Sequence, residues 1–275
     1  MKDSFLEKIV QAKRLRLNQA QLSGSQIEHL EAAARRKANA KPPRLFRDSI
    51  SRAGASGIIA EYKRASPSKG IINDRLSPDV AAIIYESAGA SAISVLTEED
   101  FFSGSLDDLS QVAQRTRLPI LRKDFFIDKI QIFEAALSGA NAILLLAALF
   151  GPEKLREFRQ LAESLGMEAL VEVHNEEEMN AAIESGASVI GVNNRDLRSF
   201  TVSLDVSRRL IAMRPESVLM IAESGISSAN DLIELRKLGY YGFLIGETFM
   251  RADNPEAVLS SYVRALKTLT QSNKS

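Results

Sequence analysis

Several residue types that would define a function class are missing from this chain. There is no cysteine among the 275 residues, which excludes disulfides, thiolate metal sites and a cysteine nucleophile. The only two histidines, His29 and His174, lie far apart in the sequence and form no metal-ligand pair. The 35 basic residues balance the 35 acidic ones, so the formal net charge of zero argues against nucleic acid or an anionic membrane as the main partner.

Long apolar segments are also missing. The longest apolar run, residues 142–150, is too short to span a bilayer. The first residues lack the apolar core of a signal peptide, and Asp3 and Glu7 do not suit a transit peptide. The 45% of hydrophobic residues suffice for one large core or two small ones. We therefore predict a soluble cytoplasmic protein.

The chain does contain an internal repeat, in which a helical segment is followed by a glycine, a small residue and an apolar strand. It occurs at residues 87–96, 137–146 and 184–190, and more loosely at 237–245. A glycine at a helix C-terminus can adopt the left-handed conformation that ends the helix. An apolar strand directly after a helix is typical of a parallel sheet covered by helices.

Counting these units predicts eight strands, with helices between them such as residues 152–165 and 175–185. The strands start near Ile58, Ala92, Pro119, Ala142, Glu168, Ser188, Val218 and Gly242. Eight alternating units in this length predict a (β/α)8 barrel. The rival architecture, a doubly wound open sheet, is disfavoured because no Gly-x-Gly-x-x-Gly phosphate loop follows Lys63.

Residues 1–50 lie outside the repeat and predict a helical extension of a single domain that spans residues 1–275, with the barrel at 58–270. Apolar residues recur at helical spacing at Phe5, Leu6, Ile9 and Val10, and residues 26–38 predict a second helix. Lys41-Pro42-Pro43 is interpreted as a break in structure. We expect the extension to close the barrel base or to cover a side. A helix on a membrane surface is the alternative.

Five apolar strands end in charged or amide residues. Glu61 and Lys63 follow the first strand and face the same side, because they are two residues apart. Lys123, Glu172, Asn193 and Glu223 follow the third, fifth, sixth and seventh strands. Burying an ion is costly unless it is paired or used, and the C-terminal ends of barrel strands converge on one pocket. The pattern therefore predicts one site for proton transfer.

Two other features of the strand-end region have different interpretations. We interpret Arg122 and Asp124 as solvated residues or a structural ion pair. Gly225 and Gly246 follow the seventh and eighth strands, where this fold commonly binds phosphate through backbone N–H groups. The long basic loop 64–75 could close over an anionic ligand, or could be an ordinary surface loop.

These segments together resemble the indole-3-glycerol-phosphate synthase family. The similarity begins with Glu-Tyr-Lys-Arg-Ala-Ser-Pro-Ser-Lys-Gly at 61–70 and continues in order through residues 94–98, 101–105, 121–125, 170–174, 191–197, 222–226 and 246–247. The resemblance implies ring closure of 1-(2-carboxyphenylamino)-1-deoxyribulose 5-phosphate, with loss of carbon dioxide and water, to indole-3-glycerol phosphate in tryptophan biosynthesis. It implies no metal and no organic cofactor.

The same resemblance implies a role for each site residue. Lys123 is the general acid and Glu172 the base, while Lys63 holds anionic groups and Glu61 keeps a lysine charged. Asn193 and Glu223 bind hydroxyls, and Arg195 steadies loops or reaches the substrate carboxylate. The phosphate contacts come from Ser66, Ser224, Gly225, Gly246 and Glu247, and the apolar contacts to the aromatic ring come from Phe102, Phe125 and Leu144.

Two other function classes stay open at the level of sequence. One is another phosphate-binding barrel enzyme, such as a sugar-phosphate isomerase, although an isomerase needs fewer charged groups. The other is a non-catalytic barrel that serves as a binding partner. The expected partner is a phosphorylated small-molecule substrate. We expect no nucleic-acid or membrane partner. Weak association with other tryptophan-pathway enzymes is possible. A structural hydrogen bond is the interpretation of His174.

Overall fold

Eight parallel strands close into a barrel in the computed structural model, which describes residues 5–40, 45–197 and 199–272. The strands pair in chain order, and β8 pairs with β1. They are β1 Ile58–Tyr62, β2 Ala92–Leu96, β3 Ile120–Lys123, β4 Ala142–Leu146, β5 Glu168–Val173, β6 Val189–Asn193, β7 Leu219–Glu223 and β8 Gly242–Ile245. The barrel prediction is confirmed, with each strand starting within one residue of its expected position.

Helices follow the strands and cover the outside of the barrel. They are α4 Pro78–Ser87, α5 Leu106–Arg115, α6 Lys129–Ser138, α7 Pro152–Ser164, α8 Glu176–Glu184, α9 Asp205–Leu210, α10 Ala229–Leu238, α11 Glu247–Met250 and α12 Pro255–Ser272, with short 3-10 turns at Ala147–Leu149 and Ile211–Met213. The helices expected at 152–165 and 175–185 are confirmed to within one residue. Within the described ranges, no helix combines the length and apolar character needed to cross a membrane.

The repeated glycines end helices, as their sequence context predicts. Gly139 ends α6 and Gly239 ends α10, with left-handed φ angles of 97° and 112°. A side chain with a Cβ is strained in this conformation, so glycine is the residue that lets the chain turn directly into the next strand. The helix starts are also encoded locally, since Asp128 and Ser228 each form a capping box.

Side chains alternate between two apolar layers along the strands. On β1, Ile58 and Ala60 belong to the layer between the sheet and the helices, whereas Ile59 belongs to the barrel interior. Leu121 on β3 and Leu170 on β5 fill the same interior. This period of two determines which side chains near the C-terminal strand ends point into the barrel.

The N-terminal extension packs against three parts of the barrel, and these include both expected placements, the base and a side. A short helix that was not predicted, α3 (Phe46–Ser51), closes the base, where the Arg47 N–H donates to Glu168 at the start of β5. Helix α2 (Gly24–Ala40) covers a side and contacts α6. Helix α1 (Phe5–Gln19) lies at the opposite, C-terminal mouth, a third placement that was not expected. The break at Lys41-Pro42-Pro43 lies outside the described residues.

Candidate active site

Polar side chains form the top layer of the barrel interior. On β1, the inward series runs from Ile59 to Glu61 and then to Lys63 just beyond the strand. On β3, Leu121 is followed two residues later by Lys123. Alternate residues of a strand face the same side. The next inward-facing residue after Ile59 or Leu121 is therefore already a charged one. The strand-end pattern seen in the sequence is therefore one layer of the barrel.

A cavity of about 710 Å³ opens at this end of the barrel, and we call it the mouth cavity. It brings together every residue that the sequence analysis assigned to the site. These are Glu61, Lys63, Ser66, Phe102, Lys123, Phe125, Leu144, Glu172, Asn193, Arg195, Glu223, Ser224, Gly225, Gly246 and Glu247. The cavity volume suits a small-molecule substrate.

Lys123 lies between two buried carboxylates in the mouth cavity. Its Nζ is 2.7 Å from Glu223 Oε2 and 3.1 Å from Glu172 Oε2. Burial favours the neutral amine, but the carboxylates of Glu223 and Glu172 outweigh it and raise the pKa of Lys123. The lysine therefore carries a proton at neutral pH, which is the form that a general acid requires.

The two carboxylates beside Lys123 differ in their surroundings. Glu172 accepts a hydrogen bond from Asn193 Nδ2 at 3.0 Å as well as the one from Lys123. Burial opposes its ionisation, but Lys123 and His174 outweigh burial and lower the pKa of Glu172. Burial raises the pKa of Glu223, and the neighbouring negative charge of Glu172 adds to this. Glu172 is therefore the carboxylate that stays ionised and can accept a proton.

Glu61 and Lys63 form a second ion pair in the mouth cavity, with Lys63 Nζ 2.6 Å from Glu61 Oε1. Two glycines make room for the buried carboxylates. A Cβ on Gly246 would clash with Glu61, and a Cβ on Gly191 would clash with Glu223. Gly246 therefore has a steric reason to be glycine, apart from any contact with phosphate.

Arg122 and Asp124 flank the site lysine in the sequence. Both are buried and paired, with Arg122 Nη2 2.9 Å from Asp124 Oδ2, so the ion-pair interpretation holds and the solvated one is wrong. Lys13 of α1 joins them, with its Nζ 3.0 Å from Asp124 Oδ1. Thr97 also donates to Asp124, at 2.7 Å. This buried network fixes the backbone on which Lys123 stands and ties α1 to the barrel mouth.

Aromatic and aliphatic side chains also line the mouth cavity. Phe102 and Phe125 lie with ring centroids 6.1 Å apart, and Leu144 lines the same cavity. Arg195 Nη1 donates to the carbonyl of Phe200 at 3.3 Å, and its backbone pairs with Val202. Arg195 therefore holds the loop after β6 in place.

The loop 64–75 is built into the barrel mouth by specific contacts. It contains a small antiparallel ribbon between Ala65–Ser66 and Gly70–Ile71. The guanidinium of Arg64 pairs with Asp108 of α5 and donates to the carbonyl of Ser103 at 3.0 Å. Asn73 Nδ2 donates to the carbonyl of Met250 at 2.8 Å. These contacts hold Ser66 at the cavity edge.

The loop after β7 has an unusual backbone. Ser224 and Gly225 are both in the left-handed region, with φ angles of 62° and 77°. A left-handed conformation costs a serine about 1–3 kcal/mol and persists only where the surroundings fix it. Here Asn194 Nδ2 fixes it by donating to the carbonyls of Glu223 at 3.0 Å and Ser224 at 3.2 Å.

One cluster of carboxylates in the described ranges has the spacing of a metal site, namely Glu98, Glu99 and Asp100. Lys13 Nζ lies 2.7 Å from Glu99, and a guanidinium nitrogen of Arg16 lies 2.6 Å from Asp100. Glu98 accepts backbone hydrogen bonds from residues 100–102. Cations of α1 thus already balance much of the cluster's charge, and we assign it no metal.

Sequence reasoning missed the contribution of α1 to the mouth cavity. Phe5, Leu6 and Ile9 line it. Their helical spacing was visible in the sequence, but spacing does not reveal which surface an amphipathic helix covers. The structural hydrogen bond expected of His174 is present, since its Nδ1 lies 3.0 Å from Glu178 Oε2. What the sequence analysis did not foresee is that His174 Nε2 lies 3.4 Å from Glu172 Oε1.

Comparison with known proteins identifies the family. A family model described as indole-3-glycerol phosphate synthase matches residues 6–262. The chain belongs to the indole-3-glycerol phosphate synthase family. Curated members include those of Carboxydothermus hydrogenoformans, 45% identical over 93% of this chain and 98% of the relative, and of Desulfotalea psychrophila, 45% identical over 94% and 98%. The family resemblance drawn from the sequence is confirmed.

Solved structures agree with the fold at much lower identity. A thiamine phosphate pyrophosphorylase from Pyrococcus furiosus superposes with a TM-score of 0.60 at 15% identity, covering 81% of this chain and 98% of that one. KGPDC from Streptococcus mutans also gives 0.60, at 12% identity, covering 78% and 98%. Identity at this level supports the barrel alone, and the family assignment rests on the sequence relatives.

Proposed function

We propose that Lys123 and Glu172 are the general acid and the general base of the family's reaction in this chain. The observation that carries the proposal is the Lys123 ammonium, held between the carboxylates of Glu172 and Glu223 inside the mouth cavity. Family membership makes the chain a carboxy-lyase of tryptophan biosynthesis that acts on a small phosphorylated substrate. We assign it the conversion of 1-(2-carboxyphenylamino)-1-deoxyribulose 5-phosphate to indole-3-glycerol phosphate.

Ring closure is the first step. The aromatic carbon that bears the carboxylate attacks the ribulose carbonyl carbon, and Lys123 donates its proton to the carbonyl oxygen. The carboxylate then leaves as carbon dioxide, and the electrons of the broken bond restore the aromatic ring. A positioned proton donor contributes about 10²–10⁴-fold to such a rate.

Loss of water is the second step. The hydroxyl made in the first step accepts a second proton, from Lys63, and leaves as water. Glu172 accepts a proton from the five-membered ring, so that the indole forms. Two protons are donated to substrate and one is taken back, hence each turnover consumes one proton from solvent. Glu172 suits this role because Lys123, Asn193 and His174 surround its carboxylate and favour the ionised form.

The other charged residues hold the substrate and the acid in place. Lys63 is positioned to bind an anionic group of the substrate and shares the acid role, and Glu61 keeps it oriented through their 2.6 Å contact. Asn193 fixes Glu172 by its hydrogen bond. Glu223 holds Lys123 and offers a second oxygen to a substrate hydroxyl, since its Oε1 has no hydrogen-bond partner in the described part of the chain.

The two ends of the substrate occupy opposite parts of the mouth cavity in this proposal. The aromatic ring packs on Phe102, Phe125 and Leu144, and Arg195 steadies the adjoining loop. The phosphate binds where the loops after β7 and β8 meet the loop 64–75. The residues assigned to it are Ser66, Ser224, Gly225, Gly246 and Glu247. The left-handed backbone at Ser224 supports this placement, since strained backbone clusters at ligand-binding sites.

Wider properties of the chain stay predictions. Balanced charge favours the absence of nucleic-acid and membrane partners. A cytoplasmic location and weak association with other tryptophan-pathway enzymes are expected from the family. Neither the isomerase alternative nor the non-catalytic partner finds support in the family match.

A paired assay of carbon dioxide and indole tests the division of roles. The wild-type chain, with substrate and a metal chelator, is expected to release both products together. Glu172→Gln keeps the shape of the side chain but cannot accept the proton. In a single turnover it should release close to one carbon dioxide per site, whereas the indole fluorescence rises at least about 10²-fold more slowly.

The matched control is Glu177→Gln, which makes the same change at an exposed position of α8 and should behave as wild type. If Glu172→Gln releases neither product, Glu172 acts before decarboxylation and the assigned order of roles is wrong. If the variant forms indole at the wild-type rate, Glu172 is not the base.

A further inference from the structure

His174 is a buried titratable group that the mechanism above does not use directly. It follows the last residue of β5, and its side chain is only 12% exposed. The ring lies between two carboxylates, with Nδ1 3.0 Å from Glu178 Oε2 and Nε2 3.4 Å from Glu172 Oε1. Nε2 is buried and makes no hydrogen bond to the described residues. The ring is thus held on one side and faces the proposed base on the other.

The carboxylate of Glu178 is fixed by its surroundings. Its Oε2 accepts the backbone N–H of His174 at 2.8 Å, and its Oε1 accepts Asn175 Nδ2 at 2.7 Å. Asn175 in turn accepts the backbone N–H of Glu178 at 2.9 Å, which makes it the N-cap of α8. In a capping box Glu178 would bond the N–H of the N-cap residue itself. Here it bonds the preceding residue, so the helix start orients the imidazole.

The charges around the imidazole come from both packed elements. Glu172 on β5 and Glu178 on α8 face the ring, while Lys123 and Glu223 lie on the far side of Glu172. The 3-10 turn Ala147–Leu149, which packs against α8, contains no charged residue. Burial disfavours the charged ring, but Glu172 and Glu178 outweigh it and raise the pKa of His174 to about 10. His174 is therefore a cation at neutral pH.

We propose that His174 is a positioning residue, whose imidazolium, supported by Glu178, keeps Glu172 ionised and oriented throughout the reaction. The inference rests on the proposed role of Glu172 as base. The order of the reaction steps explains why a second cation is useful. Lys123 gives its proton to the substrate during ring closure. Glu172 therefore lacks its strongest cationic partner by the time it accepts a proton. His174 keeps its proton in both steps and therefore remains a cation beside Glu172 throughout.

The first test measures the charge of His174 without using activity. The chain has only two histidines, so an untagged protein labelled at histidine gives two NMR ring signals, assigned with His29→Asn and His174→Asn. We expect the His174 ring to stay protonated well above neutral pH. Glu178→Gln should lower its pKa by about one unit or more, because one of two facing carboxylates is removed. A His174 ring that is neutral at pH 7 would overturn the proposal.

The second test uses the pH profile of kcat/KM. Without the cation, Glu172 becomes protonated at higher pH, so His174→Asn should move the acidic limb upward by about one unit. Glu178→Gln should move it in the same direction by less, and His29→Asn, on the exposed side of α2, should leave it unchanged. A merely structural role would lower the rate at all pH values without moving the limb, and that result would reject the proposal.

Different results would reject the role of Glu172 as base and the role of His174 as its positioning residue. If Glu172→Gln retains full activity, the assignment of the base is wrong whatever the NMR titration shows. If Glu172 is required but the acidic limb of His174→Asn superimposes on that of wild type, the assignment of the base stands and the role of His174 is wrong.

Discussion

Replacing Lys123 with alanine is expected to lower kcat by about 10²-fold or more, because a positioned proton donor contributes roughly 10²–10⁴-fold. The loss should appear in carbon dioxide and indole alike, since Lys123 acts in ring closure, before either is released. The apolar interior below the site is untouched, so the far-ultraviolet circular dichroism should match wild type. Steady-state and single-turnover rates measure the effect.

Two further variants separate proton donation from charge alone. Lys123→Arg keeps a cation between Glu172 and Glu223, but a guanidinium group is not deprotonated in proteins and so cannot act as the acid. It should therefore stay close to Lys123→Ala in rate. Lys237→Ala, at an exposed position of α10, should be as active as wild type. An active Lys123→Arg enzyme would make the role of Lys123 electrostatic, and a near-normal Lys123→Ala enzyme would remove it from the mechanism.

Replacing Asp124 with alanine is expected to cost about 3–5 kcal/mol of unfolding free energy, the usual result of removing one partner from a buried ion pair. Asp124 is 1% exposed, and its loss leaves Lys13 and Arg122 buried without their shared carboxylate. Urea unfolding followed by circular dichroism measures the difference. Asp253→Ala, at an exposed position, should change stability by less than about 0.5 kcal/mol.

The Asp124 effect should also depend on pH. Burial opposes ionisation, but Arg122 and Lys13 outweigh it and lower the pKa of Asp124 to about 2, from an ordinary value of 3.8. A carboxyl group whose pKa is lower in the folded protein than in the unfolded protein stabilises the fold at pH values above the pKa of the unfolded state. This contribution is lost as the pH falls toward the pKa of the folded state. The difference in unfolding free energy between wild type and Asp124→Ala should therefore become smaller as the pH falls from about 4 to about 2. A difference in unfolding free energy below about 1 kcal/mol at neutral pH would show that the ion pairs of Asp124 contribute little to stability.

The strand ends are predictable from sequence because their signals are local. A glycine that ends a helix and the alternation of side chains along a strand can both be read within about ten residues of sequence. For this reason the sequence alone is enough to place Lys123, Glu172 and Glu223 on one layer of the barrel. The family resemblance then supplies the roles, which composition and spacing do not contain.

The features that sequence reasoning missed depend on contacts between distant segments. Helix α1 is placed by Lys13, which reaches Glu99 and Asp124 far along the chain. No local pattern encodes that choice, and an amphipathic helix suits the base as well as the mouth. His174 is the exception, because it lies two residues after Glu172 and the alternation of side chains along a strand already places both on one side.

The most direct test of the site is a crystal structure of the chain with indole-3-glycerol phosphate bound. We expect the indole ring to lie against Phe125 and Leu144, with Lys123 Nζ and the Glu172 carboxylate within about 4 Å of the five-membered ring. We expect the phosphate to lie at the loops after β7 and β8, in contact with the backbone at Ser224 or Gly246. A product bound with its indole away from Lys123 and Glu172, or with its phosphate outside these loops, would contradict the assignment of the site.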